Sequence, residues 1–185
     1  KALQSGTTHY FGQGFAKAFN IQFQDREKNL QHVYQTSWGV TTRLIGAIIM
    51  VHGDDSGLVL PPRLAPVQAV IVPIQQTKEG ILDKCNEICD KLLKAGVRAT
   101  VDSQDKSPGW KFAESEMRGI PLRIEIGPRD LENGDCVIVR RLDNQKIVLK
   151  WDEAIAMIPD MLEAIHAEMY AKALANVKSN THDAY

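Results

Sequence analysis

Arg43 stands between two unlike neighbourhoods. Before it runs Thr36-Ser37-Trp38-Gly39-Val40-Thr41-Thr42, rich in small and hydroxylated residues; after it comes the apolar run Leu44–Val51. Small residues let a ligand approach the main chain closely. A guanidinium at such a point presents a rigid fork of donors suited to a polyphosphate or a planar base. The residues alone leave a plainer reading open, in which Arg43 pairs with Asp54 or Asp55 and Trp38 is a core residue. His9, beside Tyr10, reads by itself as a satisfied structural histidine, and His32, His52 and His166 as structural or surface residues. Arg123 and Glu125 alternate with Leu122, Ile124 and Ile126 in IPLRIEI, so an opposite-charge pair shares one face of a strand. Alone, that pair reads as a cross-strand ion pair and Arg129-Asp130 as a turn. Cys85 and Cys89 lie four apart beside Ile81, Leu82, Ile88, Leu92 and Leu93. That setting favours small core residues over half a metal site.

The elements that must position these groups follow from periodicity. Tyr10–Phe19 reads as a short helix or turn, Asn20–Gln24 and Gln31–Ser37 as strands, and Asp25–Asn29 as a charged turn. Arg43–His52 reads as a buried helix with Leu44, Ile48 and Val51 on one face. Leu58–Leu60 is a short strand stopped by Pro61 and Pro62. Beyond the proline-rich joint at Pro61–Pro66 the rhythm becomes alternating α and β. Strands are expected at Gln68–Ile74, Val97–Asp102 and Ile120–Ile126, with a hairpin of Asp135–Arg141 and Lys146–Leu149 across Asp143-Asn144. Helices are expected at Thr77–Ala95, capped by Thr77 and stopped by Gly96, and at Pro108–Met117, opened by Pro108. Trp151–Ala175 reads as mostly helical with a break at Pro159, and Asn176–Tyr185 as a loosely held polar tail. The fold class is α/β: the end of an antiparallel sheet, then a mixed sheet with flanking helices.

Composition bounds the function. The 185 residues carry a net charge of −1, 44% hydrophobic and 24% charged residues, as soluble globular chains do. Such a charge excludes bulk electrostatic capture of nucleic acid, so any RNA contact is a local patch. No apolar run approaches the roughly 20 residues of a bilayer span, so no membrane role is expected. Three cysteines without a CxxC pair suit a reducing, cytoplasmic setting. Lys1 opens without an initiator Met, which reads as a cut within a longer polypeptide.

Three strings, in order, carry a resemblance. ALQSGTTHYFGQGFAKAF (Ala2–Phe19) and the stretch around Arg43 resemble motif 3 and its preceding segment in the prolyl-tRNA synthetase family of class II aminoacyl-tRNA synthetases. SPGWKFAESEMRGIPLRIEIGPRD (Ser107–Asp130) is similar to that family's anticodon-binding domain, in the archaeal and eukaryotic type, shared by some bacteria, that lacks an inserted editing domain. The resemblance implies a division into residues 1–66, the end of a catalytic domain; 67–150, an anticodon-binding domain; and 151–185, a helix and tail leading to a further domain. It implies activation of L-proline with ATP and Mg2+, transfer to tRNA(Pro), and a homodimer in the intact enzyme. By the same resemblance Gln4, Thr7, Thr41 and Arg43 bind ATP, with Gln4 near its magnesium and Arg43 catalytic. His9, Ser37, Trp38 and Gly39 approach the proline pocket.

Glu116, Arg123, Arg129 and Asp130 are implied to approach the anticodon. The two guanines shared by proline tRNAs offer N7 and O6 acceptors that suit arginine, and amino and imino donors that suit a carboxylate. Arg118, Arg140, Arg141 and Lys146 would add phosphate contacts. Motifs 1 and 2 and the loop that grips the proline amine are not among these residues, so the chain alone is expected to be inactive. The alternative is a free-standing module that binds tRNA or protein without catalysis.

Overall fold

The computed structural model describes residues 3–182 and divides into two compact units, Lys1–Ala47 and Ile48–Tyr185. In the first unit β1 (Gly6–Gly12) pairs antiparallel with β4 (Gln35–Val40), and β2 (Gln22–Gln24) with β3 (Leu30–His32). The short helix α1 (Gly14–Ala18) follows β1. The helix or turn expected over Tyr10–Phe19 therefore begins as strand, over its first three residues, and Gly12 bends the chain at a positive φ of 55° before α1 starts. The strand expected at Gln31–Ser37 splits into β3 and β4. Asp25 organises the β2–β3 turn, accepting from the main-chain N–H groups of Glu27 at 2.9 Å and Asn29 at 2.8 Å. Ala16 is the one fully buried apolar residue described in this unit.

Helix α2 (Arg43–His52) keeps its predicted span, but none of its residues is fully buried. In the second unit a five-stranded sheet has the order β6-β5-β7-β8-β9. Its strands are β5 (Ala69–Pro73), β6 (Ala99–Val101), β7 (Leu122–Ile126), β8 (Asp135–Arg140) and β9 (Lys146–Lys150). The first three run parallel; β8 and β9 form the expected hairpin, closed by Asn144 at φ 58°. The chain steps one way from β5 to β6 through α3 (Ile81–Lys94) and back the other way from β6 to β7 through α4 (Pro108–Met117). Right-handed crossovers in opposite directions must place α3 and α4 on opposite faces.

The α3 face is the apolar core. Ile81, Cys85, Ile88 and Leu92 meet Ile71, Leu122, Ile124 and Ile138 there. Cys85, Cys89 and Cys136 are core residues, and burial pushes the Cys85 and Cys136 thiols up to about 12. Helix α6 (Trp151–Ser179) covers the same face with Ala154, Ile158, Leu162, Ile165 and Met169. Pro159 does not break it: the buried stripe continues through the proline and outweighs one lost hydrogen bond. The helix also takes in Asn176–Ser179, part of the expected tail; the last three residues of that tail lie outside the described ones. Among the described residues no helix is long and apolar enough to cross a membrane.

Local signals were kept or overridden for identifiable reasons. Ser107 caps α4 by accepting from Trp110 N, with Pro108 at the first helical position. Gly96 ends α3 at φ 83°. Thr77 is not the α3 cap, because a turn from Gln75 delays the helix to Ile81 and Gly80 takes the cap. Leu58–Leu60 joins no sheet; its N–H groups at Leu58 and Leu60 donate to Met117 O at 3.0 Å and Gly119 O at 3.2 Å. The Pro-rich joint leaves carbonyls without strand partners, and Arg98 donates to Pro62 O at 2.9 Å and Ala65 O at 3.0 Å.

Two glycines make the Leu58–Leu60 seat possible. A Cβ on Gly119 (φ 68°) would fall 2.6 Å from Leu58 main chain, and one on Gly57 (φ 132°) 2.6 Å from Met117 Cα. Gly119→Ala should therefore destabilise the protein by about 2 kcal/mol or more. Gly96→Ala, with open space around it, should cost only the left-handed penalty of about 1 kcal/mol. Denaturant midpoints of the two variants check this; equal losses would contradict it.

Candidate nucleotide groove and candidate nucleic-acid interface

In the first unit, Gln4, Gly6, Thr7, Gly39, Val40, Thr41 and Arg43 line an open concavity of about 250 Å3. The β1–β4 register builds it, setting Thr7 opposite Gly39 and Gly6 opposite Val40. Thr41 Oγ1 accepts from Arg43 N at 3.2 Å, so the threonine seats the first turn of α2 and the guanidinium that follows. Arg43 is exposed and forms no ion pair among the described residues, while Asp54 is engaged elsewhere. A Cβ on Gly39 would meet nothing within 4 Å, so the main chain lies open there. All four residues expected at ATP thus share one hollow.

Residues directly opposite in an antiparallel pair share a face. His9 faces Ser37, on the side of Thr7 and Gly39, and stacks on Phe11 at 5.6 Å. Trp38 pairs with Thr8 on the other face, 76% exposed. Three of the four residues expected near proline are thus brought together, and the register separates Trp38 from them. The hollow offers an amide, two hydroxyls and a guanidinium but no carboxylate. That donor set suits phosphate oxygens, and it would meet a magnesium ion only through a nucleotide that carries it.

In the second unit the polar face of β7 lies under α4. Arg123, 7% exposed, donates from Nε to Glu125 at 2.9 Å and from Nη1 to Glu116 at 2.8 Å. Its guanidinium lies 4.3 Å from the centre of the Phe112 ring. Glu125 is the next residue on the same face of the same strand, so the expected cross-strand pair is an i, i+2 pair. Two carboxylates against one guanidinium leave an excess negative charge, and Glu116 is the more exposed of the two.

Past β7 the chain enters a short helix, α5 (Pro128–Asn133), where the sequence suggested only a turn. Asp130 caps it, accepting from Gly127 N at 2.7 Å. Arg129 is exposed at its first turn, without an ion pair among the described residues. Arg123 and Ile126 stand three positions apart on β7, roughly 10 Å. Glu116 at the end of α4 and Arg129 on α5 therefore stand on different elements and do not form one cluster.

Of the basic residues expected at phosphates, Arg141 is buried and donates to both oxygens of Asp54, at 2.8 and 2.6 Å, and to Glu116 O at 2.9 Å. Arg140 pairs with Glu168 and Arg118 with Glu114. Lys146 alone of the four is exposed and unpaired among the described residues. Phe112, Ser115 and the Asp54–Arg141 pair went unread in the sequence; the aromatic four positions before Glu116 on one helix face was the available signal.

Residues 68–161 match the model of the anticodon binding domain, half of the chain. The chain belongs to that family. Curated proteins named proline–tRNA ligase match it end to end: 59% identical in Lachnoclostridium phytofermentans, and 56% and 58% over 184 residues in Lachnospira eligens and Clostridium novyi. The chain spans 38% of the length of these relatives. The mixed sheet with flanking helices is the α/β fold that the resemblance implied.

The Arg141 guanidinium, by hydrogen bonding, holds the Asp54 carboxyl down at about 2 from an ordinary 3.8. A carboxylate with a depressed folded pKa contributes stability above its unfolded value and loses it as pH falls through the folded one. Asp54→Asn should therefore flatten the loss of stability between about pH 4 and pH 2. Denaturant midpoints across that range check this; an acid limb identical to the parent's would contradict it.

Proposed function

We propose that this chain is part of a ligase that activates L-proline with ATP to prolyl-adenylate and transfers the prolyl group to tRNA(Pro). The observation that carries the reading is end-to-end identity above 55% with proline–tRNA ligases. The two candidate sites support it. Residues 1–66 are the end of the catalytic domain, 67–150 the anticodon-binding domain, and 151–185 a C-terminal helix and tail. The whole enzyme works as a cytoplasmic homodimer, a setting that the three buried thiols fit.

The groove takes ATP. Arg43 and the N–H groups at the start of α2 meet phosphate oxygens, where attack of the prolyl carboxylate builds negative charge at the α-phosphorus. Thr7 and Thr41 donate hydroxyls, and Gln4 lies where magnesium arrives on the nucleotide. His9, Ser37 and Gly39 approach the proline from one strand face. Trp38 stands on the opposite face of β4 from them. Proline is small and rigid, so shape and a few polar contacts select it.

Glu116 and Arg129 read the two anticodon guanines. The carboxylate accepts from the amino and imino groups of one, and the guanidinium donates to N7 and O6 of the other. Arg123 stands behind Glu116 and holds it, while Asp130 holds Arg129 by capping α5.

In the full-length protein Arg43→Ala should lower proline-dependent ATP–pyrophosphate exchange by about 100-fold or more; near-full exchange would contradict the ATP role. Arg129→Ala should weaken binding of tRNA(Pro) by about tenfold and lose that penalty against a transcript whose anticodon guanines are replaced. Equal weakening against both transcripts would show a phosphate contact instead.

A further inference from the structure

We propose that Lys111 is a positioning residue for anticodon recognition, a buried ammonium that fixes α4, and through it Glu116, on the sheet. The proposal rests on the reading above that Glu116 addresses a guanine. Lys111 is 1% exposed. Its Nζ donates to Gln76 Oε1 at 3.0 Å and to Asp102 O at 2.8 Å. Both acceptors are neutral, and Lys111 has no ion pair among the described residues.

Two costs oppose a lysine here. A buried charge without a counter-ion is expensive, and an apolar side chain of similar length would avoid that cost. Lys111 also sits in the first turn of α4, the end of a helix that disfavours a cation. The ammonium therefore supplies something that apolar packing cannot.

What it supplies is direction. The two residues that α4 buries, Lys111 and Ser115, are both polar. Apolar burial holds a helix against a sheet without fixing its rotation, because the hydrophobic effect is non-directional. The two bonds of Lys111 do fix it. Asp102 follows β6 and is anchored by its own N–H to Ile71 O at 2.9 Å. Gln76 follows β5 and gives its amide N–H to Gln104 O at 3.3 Å, which turns its carbonyl oxygen toward Lys111. Lys111 thus ties the first turn of α4 to the ends of two parallel strands. Ser115 follows one turn on along the same side of the helix, and Phe112, Ser115 and Glu116 meet Arg123. A rotation of α4 about its axis would carry Glu116 off its guanine.

The test compares aminoacylation of the native tRNA(Pro) transcript with one whose anticodon guanines are replaced, in the full-length protein, as a ratio of kcat/KM. Lys111→Met should lower that preference by about tenfold, and Gln76→Ala should lower it in the same direction by less. Glu116→Gln combined with Lys111→Met should show no greater loss of preference than Glu116→Gln alone. A preference retained in both Lys111→Met and Gln76→Ala, or additive losses in the double variant, overturns the proposal. An intact preference in Glu116→Gln overturns the base-reading assignment and the proposal with it. Thermal unfolding identifies a Lys111→Met protein that fails to fold, and Gln76→Ala then decides.

Discussion

The second unit depends on one constraint: β7 must satisfy two chemically opposite faces at once. Leu122, Ile124 and Ile126 point into the layer of α3 and α6, and Arg123 and Glu125 point under α4. A slip of one residue would push a guanidinium and a carboxylate into the apolar core. The reversal of chain direction between the two crossovers keeps the faces distinct, because it forces the covering helices onto opposite sides. The core side supplies stability through buried apolar area, whereas the other side supplies placement.

Placement on the α4 side is a matter of ties. Arg123 gathers Glu116, Glu125, Ser115 and the Phe112 ring around one guanidinium. Arg141 joins Glu116 main chain to Asp54, and Gly57 and Gly119 let the segment after Asp54 lie against the end of α4 with main chain on main chain. Glu116 is thus held from the side-chain direction by one arginine and from the main-chain direction by another. Arg129, by contrast, has no ion pair among the described residues and stands on a helix whose cap is its neighbour Asp130.

Much of this was readable in the sequence, for physical reasons that differ from place to place. The alternation of IPLRIEI, the Ser107-Pro108 start, the Gly96 stop and the Asn144 hairpin are local signals that nothing nonlocal opposed. Pro159 misled because a 29-residue helix is held by its buried stripe and not by each hydrogen bond. Tyr10–Phe19 misled because pairing of β1 with β4 claimed its first residues, and such pairing is invisible to a local window. The arginines show the limit most clearly. Arg123, Arg129 and Arg141 are equally basic in the sequence, yet two are buried against carboxylates and one is exposed. Which is which depends on Glu125 two residues away and on Asp54 at a separation of 87. The groove in the first unit was readable as a set, but the face on which Trp38 stands follows only from the β1–β4 register.

The central claim is that a half-buried carboxylate, held by a buried arginine, reads a guanine through its donor edge. The most direct measurement is the affinity of the full-length protein for tRNA(Pro) with inosine in place of each anticodon guanine in turn, since inosine lacks only the exocyclic amino group. The account predicts weaker binding at one of the two positions, and loss of that difference in Glu116→Gln. Equal affinity for both inosine-substituted transcripts and the native one would contradict it.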